Sequence, residues 1–257
     1  MNDLFSLEGE TAFIPGGYGG IGEAVAWGLA QAGARVAIAG RSREKAETLA
    51  TKLNDAGHTA VGLAVDVRDV ASIPAVVDDA ADRLGGITIL VNCVGMNREQ
   101  RLAEVSEETF DEIYQTNLRS AMFVAQAAAR HQVAGGRGGK QVHLLSVRSR
   151  LGMRGFGYSA YCATKGALVM LVKQHALELA PHGIQVNGVA PTVVLTEAAE
   201  KWRSDEKRWK ALLERIPLGR VAEARDVAGA VLYFCAPASD FVTGQVLYVD
   251  GGITASQ

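Results

Sequence analysis

Tyr161 and Lys165 stand four residues apart in the stretch SAYCATKGAL, and Ser146 lies upstream at the end of an apolar run. If the segment is helical, both side chains project from one face about one turn apart. An ammonium near a phenol favours the phenolate, and a tyrosine of lowered pKa exchanges a proton with an alcohol or carbonyl oxygen near neutral pH. Tyr and Lys at this spacing also occur on ordinary amphipathic helices. The pair gains chemical meaning only from the elements that position it and from other functional groups brought to the same place.

Those elements alternate along the chain. TAFIP, GEAVAWGLAQAG, ARVAIAG, REKAETLATKLNDAG and TAVGLAVDV read as strand, helix, strand, helix, strand, with glycine closing each helical segment. The pattern continues with a helix near 71 to 84, the strand ITILVNC, a long helix across 107 to 132 and the strand QVHLLSV. Strands that are apolar throughout belong to a parallel sheet covered by helices on both faces. The expectation is an α/β chain with a doubly wound parallel sheet (Rossmann fold), three layers α/β/α, forming a single domain over 1 to 257. The run GGRGG at 135 to 139 falls between a helix and a strand, so it reads as a flexible connection within that domain.

Composition narrows the function classes. With 257 residues, 48% of them hydrophobic, the chain can bury a large core. The formal charge of -2, from 26 Lys and Arg against 28 Asp and Glu, supplies no field that would attract nucleic acid or a membrane surface. Cys93, Cys162 and Cys235 are odd in number, widely spaced and without metal-ligand spacing, which suits reduced thiols and a cytoplasmic protein with no metal. The N-terminus, MNDLFSLEGETAFIPGG, lacks a basic region followed by a long apolar stretch, and no segment approaches the ~20 apolar residues of a membrane span.

A nucleotide site is legible after the first strand. PGGYGGIG, residues 15 to 22, opens directly into a helix. Gly16, Gly20 and Gly22 remove side chains where a backbone must turn tightly and approach a pyrophosphate, while the helix N-terminus faces its charge. About 20 residues past such glycines, an acid pairs with free ribose hydroxyls, whereas an arginine accommodates a phosphate. Here the second strand ends at Gly40 and Arg41, which favours NADP(H), with NAD(H) as the second candidate and Ser42 or Arg43 as assistants to Arg41. A merely solvated Arg41 is the alternative. Asp66, in VDV at the end of the third strand, either accepts a hydrogen bond from the adenine amine or caps the following helix.

With the glycine turn, Asn92, Asn117, Ser146 and the Tyr161 and Lys165 pair all in order, the sequence resembles the classical short-chain dehydrogenase/reductase family from PGGYGGIG to the C-terminal LYVDGG. The resemblance implies that Tyr161 is the catalytic acid/base and that Ser146 orients and polarises the reacting oxygen. It implies that Lys165 lowers the tyrosine pKa and holds the nicotinamide ribose, while Asn117 in YQTNLRS supports a proton-relay water. It places Tyr18, Ile21, Val67, Gly95, Pro191 and Val194 along the cofactor, Asn92 as a strand brace, and Thr196 at the nicotinamide carboxamide. It also implies a homotetramer, through the helix DVAGAVLYFCA and the strand GQVLYVDGG. Pro15 replaces the usual threonine, Cys93 and Val94 alter the pattern Asn-Asn-Ala-Gly, and Thr192 follows Pro191 in place of glycine. Ser149 competes with Ser146, which is favoured because it directly follows QVHLL.

The expected substrate is a small secondary alcohol or ketone. Arg148, Arg150 and Arg154 in the loop before Tyr161, together with Arg98, suit an anionic molecule such as a sugar acid, unless they serve surface or subunit salt bridges. Ser146 to Gly152 (SxxSxLG) and GMNRE at 95 to 99 are similar to the gluconate and polyol dehydrogenase branch. A substrate lid is expected over about 192 to 216, with Trp202 and Trp209 either lining the pocket or packing. Reduction of a 3-oxoacyl thioester on a carrier protein is the alternative reaction. A non-catalytic NADP(H)-sensing protein would have no need of the Asn, Ser, Tyr and Lys set.

Overall fold

The computed structural model describes residues 2–196, 203 and 205–255. In chain order the elements are β1 (Thr11–Pro15), α1 (Gly20–Gln31), β2 (Arg35–Gly40), α2 (Arg43–Asp55), β3 (Ala60–Ala64), α3 (Ile73–Leu84) and β4 (Ile89–Asn92). There follow α4 (Glu107–Tyr114), α5 (Ser120–Gly135), β5 (Gly139–Leu144), α6 (Ser159–Leu179), β6 (Ile184–Pro191), β7 (Val194–Leu195), α7 (Glu206–Leu213), β8 (Ala222–Glu223), α8 (Ala224–Cys235) and β9 (Val246–Val249). Seven strands form a parallel sheet in the order β3-β2-β1-β4-β5-β6-β9, while β7 and β8 pair separately. The chain winds outward from β1 to β3 and then returns to place β4 on the other side of β1. That reversal opens a crevice at the carboxyl ends of the strands, where ligands of such sheets bind.

The continuous apolar strands have two cores to fill. On β1, Ala12 and Ile14 pack with Val25 and Leu29 of α1, Leu53 of α2 and Val227 of α8, whereas Phe13 between them packs with Val77 of α3 and Val124 of α5. Each fully buried Ile, Leu or Phe contributes roughly 1.5–3 kcal/mol of transfer free energy, which forces alternate residues of one strand into opposite layers. A third cluster joins Leu168 and Val172 of α6 to Val186 and Ala190 of β6.

Local chemistry sets the element ends. The Ser42 hydroxyl accepts from the Lys45 amide at 3.2 Å and starts α2, and Ser106 accepts from the Thr109 amide at 3.2 Å to start α4. Gly85 closes α3 at φ 80°, a left-handed conformation that glycine adopts without a Cβ penalty. The helix expected across 107 to 132 runs without a gap from Glu107 to Gly135, but not as one regular α-helix. A π turn at Gln115–Arg119 separates α4 from α5 and carries Asn117. One extra residue per turn offsets the faces of the flanking helices, a form found mostly at functional sites.

Within the segment expected to form a lid, residues 197–202 and 204 lie outside the described residues, and Trp202 with them. Its described parts are β7 and α7. Leu212, Ile216, Val221 and Ile253 form a small separate cluster against which Trp209 and Leu151 pack. Trp209 therefore packs within this cluster. Among the described residues, no helix is long and apolar enough to cross a membrane.

Candidate active site

The crevice at the end of β1 is shaped by missing side chains. Gly16 has φ 77°, and a Cβ there would lie 2.9 Å from the Cys93 carbonyl carbon. A Cβ on Gly20 would lie 2.6 Å from Thr196 Cγ2, and one on Gly22 would meet the Gly16 carbonyl oxygen. Helix α1 begins after Gly19 with no side-chain cap, so its first N–H groups face a cleft of about 720 Å³ lined by Gly16, Gly20 and Ile21. Tyr18 reaches across to β2, where its hydroxyl accepts from the Ser42 amide at 2.9 Å. Its ring fills the space that a Cβ on Gly40 would need.

The far wall of the cleft is polar. Arg41 and Lys45 both line it, with Asp66, Val67 and Arg68 opposite. Arg68 grips both oxygens of Asp66, through Nε at 3.0 and 3.1 Å and Nη2 at 2.6 Å, and this holds the Asp66 carboxyl below the usual carboxylate range. Asp66 thus anchors a guanidinium and does not cap α3, whose N-cap residue is Ser72. Ser42 spends its hydroxyl on the cap of α2, and Arg43 pairs with Glu47 at 3.4 Å. Lys45, four residues beyond Arg41 and outside the sequence expectation, is the second cation beside it on the cleft wall.

The cleft continues into a lobe of about 320 Å³ lined by Ser146, Tyr161 and Lys165, with Gly95 and Asn97 on one side and Pro191, Val194 and Thr196 on the other. Helix α6 presents Tyr161, Thr164 and Lys165 together. The Lys165 ammonium donates to the Leu144 carbonyl at 2.8 Å and lies 5.8 Å from the Tyr161 ring centroid. Burial pushes Lys165 down to about 8. Asn117 is fully occupied: Oδ1 accepts from the Met96 amide at 2.8 Å, and Nδ2 donates to the Met96 carbonyl at 2.9 Å and to Thr164 Oγ1 at 3.2 Å. Its side chain therefore locks α6 to the loop after β4. Asn92 accepts from the amide of Val94, two residues on, at 3.1 Å, a local turn at the end of β4.

The two candidate serines differ in their partners. Ser146 Oγ accepts from the Arg148 amide at 3.1 Å, which directs the hydroxyl proton elsewhere, and Ser146 shares the inner lobe with Tyr161, whose ionised form it favours. Ser149 instead meets the Tyr248 hydroxyl at 3.3 Å. The expected acidification of Tyr161 by Lys165 is not what the surroundings produce. Burial raises the phenol above its usual value, and the opposing influences are the Ser146 hydroxyl and the Arg148 guanidinium.

Residues 17–254 match the family model described as enoyl-(acyl carrier protein) reductase. Gluconate 5-dehydrogenase of Gluconobacter oxydans (strain 621H) is 41% identical over 99% of this chain and 98% of its own length. The 2-dehydro-3-deoxy-D-gluconate 5-dehydrogenase of Escherichia coli (strain K12) is 37% identical over 96% of each chain. Among solved structures, a gluconate 5-dehydrogenase from Burkholderia cenocepacia J2315, in complex with NADP and tartrate, superposes with TM-score 0.95 at 39% identity, covering 100% of this chain and 99% of that one. The chain belongs to the short-chain dehydrogenase/reductase family. It is an NAD(P)-dependent oxidoreductase.

For a short-chain dehydrogenase/reductase, the departures in sequence are structurally mild. Pro15 ends β1, where its carbonyl accepts from the Cys93 amide at 3.0 Å and the next donor is supplied by Gly16. Cys93 lines both lobes, and burial pushes its thiol up to about 12, so it is an uncharged neighbour of Lys165.

The four arginine and tryptophan candidates for substrate contact separate clearly. Arg98 is committed to Glu112 at 2.9 Å, and Arg154 is exposed on a turn. Trp202 lies outside the described residues. Arg148 is buried, 8% exposed, within electrostatic reach of Tyr158 and Tyr161. Tyr158, its ring centroid 6.0 Å from that of Tyr161, adjoins the site without having been expected there. Its only sequence signal was its spacing of three from Tyr161 on the same helical face.

Proposed function

We propose that this enzyme interconverts a secondary hydroxyl and a ketone on a sugar acid, using NADP(H). The observation that carries the reading is the convergence of Ser146, Tyr161 and Lys165 on one lobe, at the inner end of a cleft whose walls suit a dinucleotide. The glycine cradle leaves room for a pyrophosphate backbone, the open start of α1 suits its charge, and Arg41 with Lys45 suits a ribose phosphate. Nicotinamide, when bound, supplies or accepts the hydride.

In reduction the protonated Tyr161 gives its proton to the carbonyl oxygen as the substrate carbon gains a hydride; oxidation is the reverse and requires the Tyr161 phenolate, beside the Lys165 cation, to take the hydroxyl proton. Ser146, its lone pair occupied by the Arg148 amide, donates its hydrogen bond to the same oxygen and limits charge there. Lys165, held by the Leu144 carbonyl, places a cation beside the nicotinamide ribose site. Asn117 keeps α6 in register with the loop that closes the lobe.

Substrate class rests on the gluconate-related relatives and on Arg148. The described parts of the expected lid segment include Trp209, which packs with Leu151 on a small cluster of Leu212 and Ile216. The enzyme is cytoplasmic, in keeping with its three free cysteines, and a homotetramer, for which exposed Phe241 and Leu247 beside the terminal strand offer apolar contact surface. Turnover of gluconate, its 5-keto counterpart, sorbitol and an acyl thioester with either nicotinamide cofactor tests the reading. Activity on the acids with NADP(H), reduced at least ~10³-fold in Tyr161→Phe while cofactor binding persists, is the expected result. Activity on the thioester alone would overturn it.

A further inference from the structure

Arg148 is the one arginine of the Ser146 to Tyr161 loop that the fold buries. Its Nη1 donates to the carbonyls of Leu151 at 3.3 Å and Gly152 at 2.7 Å. No carboxylate among the described residues lies within ion-pair distance of it, and its Nε and Nη2 donors have no acceptor there. A guanidinium carries five donors, and burying it without an anion is costly unless a partner arrives in the working state. The two carbonyls orient one edge of the plane and leave the other edge uncommitted.

The surroundings indicate what that edge faces. Arg148 follows Ser146 by two residues, and its own amide holds the Ser146 hydroxyl. Tyr158 and Tyr161 approach it from the start of α6, with Cys162 beside them. Leu151, whose carbonyl it grips, packs on the cluster of Leu212, Ile216 and Trp209, so the arginine stands between the reacting groups and α7. Arg215, exposed just after α7, adds a second positive charge, and both that charge and burial work against ionised Arg148. A guanidinium repelled by a second positive charge, with no carboxylate among the described residues within ion-pair distance, is a setting that an anion relieves.

We propose that Arg148 forms the carboxylate subsite of the substrate pocket, so that the enzyme selects polyhydroxy acids over neutral polyols of the same carbon skeleton. The proposal deepens the sugar-acid reading and rests on it for the reacting group, but its binding chemistry stands separately. Gluconate and sorbitol differ only in a carboxylate against a hydroxymethyl group, which makes them matched probes. Titration calorimetry of each into the NADP(H)-loaded protein is the test, for wild type, Arg148→Gln and Arg148→Lys.

Wild type binds gluconate at least ~10-fold more tightly than sorbitol, Arg148→Gln brings the ratio near unity, and Arg148→Lys restores part of it. Retained preference in Arg148→Gln, or equal loss of both ligands as expected from a simple loop brace, would overturn the subsite. Absence of preference in wild type would overturn it too. Selective binding through Arg148 with no hydride exchange on any acid would uphold the subsite and sink the proposed reaction.

Discussion

At the nucleotide end of the cleft, the ligand-facing surface is mostly backbone: a glycine at positive φ, an uncapped helix start and a turn whose Cβ positions are already filled by Cys93 and Thr196. At the substrate end, the polar groups of the lobe are the side chains of Ser146, Tyr161 and Lys165, beside an irregular loop in which Arg148 grips the carbonyls of Leu151 and Gly152. A surface made of backbone cannot be retuned by ordinary substitution, because any added carbon collides. A surface made of side chains changes its preference one residue at a time without disturbing the scaffold. One end is therefore built for a constant ligand and the other for a variable one.

The most severe way to break this contrast is Gly22→Ala, whose methyl group would meet the Gly16 carbonyl oxygen. Cofactor affinity falls by ~100-fold or more, and overpacking costs about 1–3 kcal/mol of stability. Fluorescence titration and thermal melting check both, and unchanged affinity would mean that the turn relaxes where the contrast requires it to be rigid. Arg41→Ala is a gentler probe, because Arg41 is a side chain at the backbone-built end. It weakens NADP(H) by about 30-fold and leaves NAD(H) nearly unaffected, the size of a lost charge-assisted contact. Equal loss of the two cofactors in competition binding would detach Arg41 from the phosphate.

The smallest effect concerns neither end. His143 on β5 is completely buried, both its ring nitrogens lack partners, and burial together with His175 and Lys165 pushes it down to about 3. The unfolded chain binds this proton near the ordinary value of 6.5, so His143 contributes full stability above pH 6.5 and loses it progressively as pH falls toward 3. His143→Leu removes on the order of 1–2 kcal/mol from the loss of stability between pH 7 and pH 5, measured by denaturant titration at both. Activity at neutral pH stays unchanged, since this side chain does not line the cleft. An unaltered pH slope would show that other groups govern the acid limb.

Much of this was legible in the residues. The first glycine turn, the alternation of strands and helices, and the Tyr161 and Lys165 spacing all report short-range rules: close approach, strand burial and helical period. The π turn around Asn117 was not legible, because π and α turns share their apolar pattern and differ only in how the two flanking faces are docked. The fates of the arginines were equally hidden. Arg98 and Arg148 are the same residue type in similar loops, yet one finds Glu112 across the chain and the other finds only carbonyls. Lys45 escaped attention because Ser42, the nearer candidate, is drawn off to cap α2, a competition that sequence proximity does not reveal.

By itself the sequence determined the layers, the nucleotide turn and the set of groups available for proton transfer, because each depends on local period, on glycine's missing side chain or on residue chemistry. Only the tertiary structure decided which serine shares the lobe with Tyr161, which cation stays unpaired beside it and whether the phenol is pushed up or down. Those outcomes depend on burial and on distances between segments far apart in the chain, and electrostatic balance in a dry pocket follows from such distances alone.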